Sequence, residues 1–211
     1  MVLSIINLKG GVGKTTLAVN LAVCFVHRGK SVCILDTDAE QLSALKWSGQ
    51  RDDSLPRVAV ASISTDKLIR EASEYAKMYD LVILDGAPQL GKLANSTLIA
   101  SDAVLVPVCP SALDFWAMEN FLTRFQEAKG LKESLRAFIV LNKFNTGRNV
   151  SKEMLEVLNE FPEIGKLQST VGDRVAFNET ITQGLGVHEY KDPKAKMEID
   201  SLAAELEKIF F

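Results

Sequence analysis

Apolar residues in this chain come in short runs separated by longer segments with helical spacing. Val2–Asn7 reads as a buried strand, and Leu17, Leu21, Val23, Cys24 and Phe25 give a helix over Thr15–His27 that stops at Gly29. Ser31–Leu35 is a second strand, Glu40–Gln50 a polar helix, Val58–Ile63 a strand and Thr65–Lys77 a helix. Leu81–Leu84 and Ala103–Val108 are further strands, with a helix over Leu93–Ala100 between them and another over Ala112–Ala128 after them. Phe138–Leu141 is a strand, Ser151–Phe161 a helix, and Lys166–Ser169 a short last strand. Helices over Asp173–Gln183, closed by Gly184 and Gly186, and over Lys194–Phe210 complete the chain. The strands are rich in Val, Ile and Leu on both faces. That pattern predicts an α/β fold: a mostly parallel sheet flanked by helices on both faces, as a single domain over residues 1–211.

Composition changes little in this picture. A length of 211 residues, 47% hydrophobic and 24% charged, suits one soluble α/β domain. The formal net charge of −3 argues against a generally basic nucleic-acid binder, although it permits a local basic patch. The three cysteines, Cys24, Cys33 and Cys109, lie far apart in apolar segments and read as buried free thiols in a reducing cytosol. The N-terminus has no basic segment of a signal peptide, and no apolar run reaches the ~18 residues of a membrane span.

The chemistry concentrates in Leu8-Lys9-Gly10-Gly11-Val12-Gly13-Lys14-Thr15-Thr16, between the first strand and the first helix. This is the order of a phosphate-binding loop. Glycines let backbone N–H groups approach a triphosphate, and the helix N-terminus adds its positive dipole end. Lys14 is placed to neutralise β- and γ-phosphates and Thr15 to bind Mg²⁺. The usual first glycine of such loops is Leu8 here, with a second lysine, Lys9, beside it. Asp85, at the end of Leu81–Leu84, suits the second Mg²⁺-binding position. In Asp36-Thr37-Asp38, Asp36 is well placed to orient an attacking water, whereas Asp38 suits an interface position or a helix cap equally well. Asn142 and Lys143 follow a strand, where an amide can recognise a purine edge or simply make a turn.

These motifs resemble the ParA/MinD family of deviant Walker A ATPases. Lys9–Thr16 is similar to the family's Walker A box, Asp36-Thr37-Asp38 to its A′ box, and Leu81–Asp85 with Pro88 to its Walker B. Val106–Pro110 resembles its proline-bearing strand and turn. Arg174–Phe177, with Gly184–Val187, resembles a late region of the ParA branch. Ala39 stands where the family has proline. The resemblance implies a P-loop ATPase using ATP and Mg²⁺ in a homodimer bridged by nucleotide. Lys9 would reach the partner's phosphates. Gly10, Gly11, Val12, Gly13, Lys14, Thr15 and Thr16 would bind nucleotide, with Asn142 on adenine. Thr15 and Asp85 would hold the metal, and Asp36 would govern hydrolysis. Such proteins cycle between a surface-bound ATP form and a released form under an activating partner.

The surface divides the branches. The C-terminal segment places Ile199, Leu202, Ala203, Leu206, Ile209 and Phe210 on one face, while its polar side carries Glu198, Asp200, Glu205 and Glu207. Anionic lipid would repel that side, so a core-packing helix is expected rather than a MinD-like anchor, with Phe210 and Phe211 as the residual apolar tip. Non-specific DNA is then the expected surface, with a cytoplasmic, nucleoid-associated protein. Candidate cations are Lys143, Arg148, Lys152, Arg174, Lys191, Lys194 and Lys196, and Arg148 and Arg174 are the chosen contacts. The loop begins within ten residues of Met1, so a short-form member without a helix-turn-helix domain is expected. Phe115, Trp116, Met118, Phe121, Leu122 and Phe125 exceed one helix face, which points to core packing plus a dimer or partner contact. A ligase or reductase on the same scaffold is the rival class. A reductase would need a cysteine pair for an iron–sulfur cluster, and none is suitably spaced. A switch with negligible hydrolysis is the third reading. The cargo and its adaptor have no signature in the sequence.

Overall fold

The computed structural model describes residues 1–63, 65–87, 92–145, 147, 154, 156 and 158–210. Seven parallel strands form one sheet: β1 (Val2–Ile5), β2 (Val32–Asp36), β3 (Ala59–Ser62), β4 (Leu81–Asp85), β5 (Ala103–Val108), β6 (Arg136–Phe144) and β7 (Gly165–Gly172). Their order is β3-β2-β4-β1-β5-β6-β7. The helices bounded within the described residues are α1 (Lys14–His27), α2 (Ser43–Ser48), α3 (Leu68–Met78), α4 (Lys92–Ala100), α5 (Ala112–Leu131), α6 (Val175–Thr182) and α7 (Pro193–Phe210).

The apolar strands are buried on both sides because successive side chains point to opposite faces. Leu3, Ile5, Ile34, Ile83 and Leu105 join α1, α6 and α7 in one core. Val2, Cys33, Leu35, Val82 and Leu84 pack with α3 on the other face, and Val104, Val106 and Ile139 with α4 and α5. Residues 17–25 of α1 are all buried, so this helix lies within the structure rather than on it. The register brings Asp85 level with both Ile5 and Asp36, so three strands deliver their ends to one edge.

The predicted alternation of strands and helices is the observed one, with shifted ends. The helix expected over Glu40–Gln50 is only Ser43–Ser48. The Asp38 carboxylate accepts the Glu40 and Gln41 N–H groups, making a turn, and Leu42 sits at φ 48°, a conformation costly for leucine. The segment Thr65–Lys67 is a tighter 3₁₀ turn leading into α3. Strands β6 and β7 run beyond their apolar cores and pair through two register shifts. Five of the eleven residues of the helix expected over Ser151–Phe161, Lys152 among them, lie outside the described residues, as do Pro88, Arg148 and Phe211, and its end at Leu158–Glu160 is a 3₁₀ turn.

Helix α7 is a core helix, as its pattern predicts. Ala195, Ile199, Leu202, Ala203 and Leu206 are buried, and Phe210 packs edge-on against Phe138. Its acids serve the sheet edge: Glu205 accepts the N–H groups of Gln168 and Ser169, and Glu198 that of Gly172. Among the described residues, no helix is long and apolar enough to cross a membrane. Cys24 and Cys33 are buried free thiols with pKa values pushed up to about 12 by burial, whereas Cys109 is half-buried with its Sγ 3.9 Å from the Val12 carbonyl.

Candidate nucleotide-binding site

A cavity of about 330 Å³ opens at the carboxyl end of the sheet. This is where open α/β sheets bind ligands. Gly10, Gly11, Gly13, Lys14, Thr15 and Thr16 line it from one side, Asp38, Gln41 and Ser43 from another, and Asp85 and Gly86 from the floor. The far wall comes from β7 and α6 through Gly172, Asp173, Arg174, Phe177 and Asn178.

The loop is held open by contacts with its neighbours. Asn7 donates its amide to the Pro107 carbonyl at 2.7 Å and accepts the Lys9 N–H at 2.9 Å, which ties the start of the loop to β5. Gly11 and Gly13 take φ values of 75° and 89°, which only glycine adopts without strain. Gly13 is also the N-cap of α1, so the first N–H groups of that helix face the cavity. Lys14 is buried, and its ammonium donates to the Lys9 carbonyl at 2.9 Å. Burial pulls the Lys14 pKa below its ordinary value, with the Asp85 and Asp38 carboxylates opposing the fall.

Asp85 answers the question of a metal. Its Oδ1 is buried without a hydrogen-bond partner. Desolvation pushes its pKa up to about 7, against the pull of the Thr15 hydroxyl and Lys14. A buried carboxylate oxygen without a donor, beside a hydroxyl, is the donor set a hard cation takes. Thr15 and Asp85 therefore fit a magnesium ion.

Asp36 is placed differently from its expectation. It is fully buried, and the cavity lining does not include it. One oxygen accepts the Asp38 N–H at 3.1 Å, the other the N–H groups of Ala44 at 2.9 Å and Leu45 at 3.3 Å. Asp36 thus caps α2, and burial raises its pKa while these three donors lower it. The half-exposed Asp38 is the carboxylate of this segment that lines the cavity. Asn142 does line the cavity, but its amide donates to the Val12 carbonyl at 2.7 Å, bracing the back of the loop. A Cβ on Gly13 would collide with that same amide nitrogen.

A model of the CobQ/CobB/MinD/ParA nucleotide binding domain matches residues 3–187. The chain belongs to this family. The maintenance of carboxysome distribution protein A of Halothiobacillus neapolitanus is 28% identical over 190 residues, 88% of this chain and 85% of that protein. The sporulation initiation inhibitor protein Soj of Bacillus subtilis is 24% identical over 238 residues, 92% of each chain. The ATP complex of an aspartate-to-alanine variant of McdA from Cyanothece shares the fold with a TM-score of 0.81 at 15% identity, covering 98% of this chain and 96% of that one.

As a ParA/MinD-type domain the chain carries a far wall that its motifs only partly reveal. Gln41, Ser43, Asp173, Phe177 and Asn178 reach the cavity, and no phosphate-loop spacing points to them. The sequence signal for this wall is the segment Arg174–Phe177 at the start of a helix. Arg174, expected on DNA, forms a two-pronged ion pair with Glu198 at 2.6 and 3.0 Å. Lys143 donates to the Gly11 carbonyl at 3.0 Å, so it too is drawn to the loop. Lys9, by contrast, does not line the cavity that its loop begins; its ammonium lies 3.1 Å from the Ser111 hydroxyl on the β5–α5 connection.

Proposed function

We propose that this chain is a ParA-like ATPase that forms an ATP-dependent sandwich dimer, binds DNA without sequence preference and hydrolyses ATP to position a cargo. The position of Lys9 carries the reading. Two lysines stand on one loop; Lys14 serves the chain's own phosphates, and Lys9 lies outside that site, where a second copy could present its phosphates. Glycine-loop N–H groups and Lys14 hold the triphosphate, and Thr15 and Asp85 hold Mg²⁺. When bound, that ion neutralises charge developing on the phosphate oxygens. Asp38, rather than Asp36, orients the attacking water. Asn142 keeps the loop in register as well as bordering the base.

Membrane attachment through α7 is disfavoured, because its apolar face is already buried against β7 and α1. The protein is then cytoplasmic, and nucleoid-associated while ATP is bound. The DNA-facing cations are sought among the exposed Lys191, Lys194 and Lys196 and among Arg148 and Lys152. A cargo adaptor stimulates hydrolysis and releases the dimer. The relatives named for carboxysome distribution make a protein-complex cargo the first to test.

Sedimentation with ATP and Mg²⁺ tests this reading. ATP should produce a dimer and salt-sensitive DNA binding in the Asp38→Ala variant. Lys14→Ala should lose nucleotide, whereas Lys9→Ala should keep it and lose the dimer. A Lys9→Ala protein that still dimerises removes the cross-subunit role. ATP-dependent recovery with anionic vesicles instead of DNA favours the membrane branch. Stoichiometric turnover with a small-molecule acceptor favours a ligase.

A further inference from the structure

We infer that Trp116 is an apolar anchor of the interface with a second copy of this chain. The inference rests on the sandwich reading and names the contact that makes such a dimer stable. The described apolar side chains of α5 divide in two. Met118, Phe121 and Phe125 are buried against the sheet, while Trp116 is 59% exposed on the same helix. Core packing thus accounts for Met118, Phe121 and Phe125 and leaves Trp116 unexplained.

Its location supplies the partner. Ser111, which holds the Lys9 ammonium, is the residue directly before α5. Trp116 follows five residues later, about 7.5 Å along the helix axis. If Lys9 crosses to a second copy, Ser111 borders the crossing, and Trp116, about a turn and a half further along α5, lies within reach of the same neighbour. Val175, 70% exposed, is the residue after Arg174, which lines the cavity. Two exposed apolar residues thus follow closely in the chain on the Lys9 partner Ser111 and on the cavity residue Arg174.

The energetics favour a second copy over bare solvent. A stable dimer buries about 800 Å² on each partner, and its affinity comes from a few desolvated aromatic anchors. Phosphates and lysines alone form a polar, salt-sensitive contact. An exposed tryptophan buries roughly 150–250 Å². In a two-fold dimer it does so twice, because each residue contacts its symmetry-related surface.

The two tryptophans make this measurable. Trp47 is 2% exposed, with its indole N–H bonded to the Leu185 carbonyl, so its surroundings are already dry. The wild-type protein and the Trp116→Ala and Trp116→Phe variants are titrated with a non-hydrolysable ATP analogue and Mg²⁺. Sedimentation and tryptophan emission are followed across protein concentration. The wild type should dimerise with a concentration-dependent blue shift that is absent from Trp116→Phe. Trp116→Ala should bind the analogue as a monomer with unchanged affinity. Its dimer should weaken at least tenfold per copy, on the order of a hundredfold for the pair. A wild-type dimer without the blue shift, or a Trp116→Ala dimer of wild-type strength, overturns the anchor and leaves the sandwich standing. Analogue binding without any dimer overturns both.

Discussion

The carboxylate of Asp36 accepts the backbone N–H of Ala44 at 2.9 Å, across the very turn that presents Asp38 to the cavity. Two aspartates two residues apart thus have opposite surroundings, and their substitutions should fail in opposite ways. Asp36→Ala takes the acceptor from three N–H groups, that of Ala44 buried and those of Asp38 and Leu45 partly so, and uncaps α2, a loss of about 2–3 kcal/mol. Its melting temperature should fall by about 5–10 °C. Asp38→Ala should fold with nearly wild-type stability, because its acceptor bonds to Glu40 and Gln41 lie at the surface. Its ATP turnover should drop on the order of a hundredfold or more. Thermal melts and single-turnover hydrolysis of both variants check this. Intact hydrolysis in Asp38→Ala returns the role to Asp36.

Asn142 offers a second separation of roles. Its amide holds the Val12 carbonyl in the space that a Gly13 side chain would need. Removal should loosen the loop rather than the base. Asn142→Ala is expected to weaken ATP, ADP and GTP by a similar factor, roughly tenfold for one lost hydrogen bond. Calorimetric titration of the three nucleotides measures the factor. A loss confined to adenine nucleotides identifies base recognition instead.

Glu189 predicts a pH dependence far from the nucleotide. Arg51 grips it with two bonds of 2.6 and 2.8 Å, and it also accepts the Gly186 N–H. Arg51 itself lies over the Trp47 ring. Burial acts to raise the Glu189 pKa, but Arg51, the Gly186 N–H and His27 together hold it below its ordinary 4.5. The folded state therefore binds fewer protons here than the unfolded chain between the lowered value and 4.5. The stabilisation is complete above the ordinary range and is lost as pH falls through the lowered value. Glu189→Gln strands Arg51 in a buried site and should cost about 3 kcal/mol at neutral pH. Denaturant midpoints from pH 7 to pH 3 should converge for the two proteins as acid removes the advantage.

The strands were legible because runs such as Leu81–Leu84 are apolar on both faces, and only a doubly covered sheet satisfies that pattern. The phosphate loop was legible because its glycines and lysines are contiguous. The pattern favoured Asp36 over Asp38 for the water, because nothing local shows the turn that brings Ala44 back over Asp36. The start of α2 was hidden for the same reason: nothing local announces that Leu42 adopts a left-handed conformation. The far wall was only partly legible, through Arg174–Phe177, because Phe177 and Asn178 share a cavity with the loop only through the position of β7 at the end of the sheet order. Trp116 stood in a run of aromatics whose burial depends on which side of α5 meets the sheet.

Arg174 gives the last expectation, and its partner decides it. A guanidinium that contacts DNA must offer its donors to phosphate, yet this one gives Nε and a terminal nitrogen to Glu198. Glu198 in turn accepts the Gly172 N–H, so the pair fastens α7 to the end of β7 beside the nucleotide cavity. Opposite charge on both sides leaves little field for a polyanion. Arg174→Gln and Glu198→Gln should each lower stability by about 1 kcal/mol, the scale of a partly exposed pair. Both should also weaken nucleotide binding, since Gly172 and Arg174 belong to its wall. Non-specific DNA affinity, measured on dimer preformed with saturating analogue, should keep its salt slope in Arg174→Gln, because no phosphate contact is lost. Lys194→Gln with Lys196→Gln should instead reduce the slope by about one unit for each phosphate contact removed. A smaller slope in Arg174→Gln, with tighter DNA binding in Glu198→Gln, would show that the ion pair opens and that Arg174 turns to the phosphates after all.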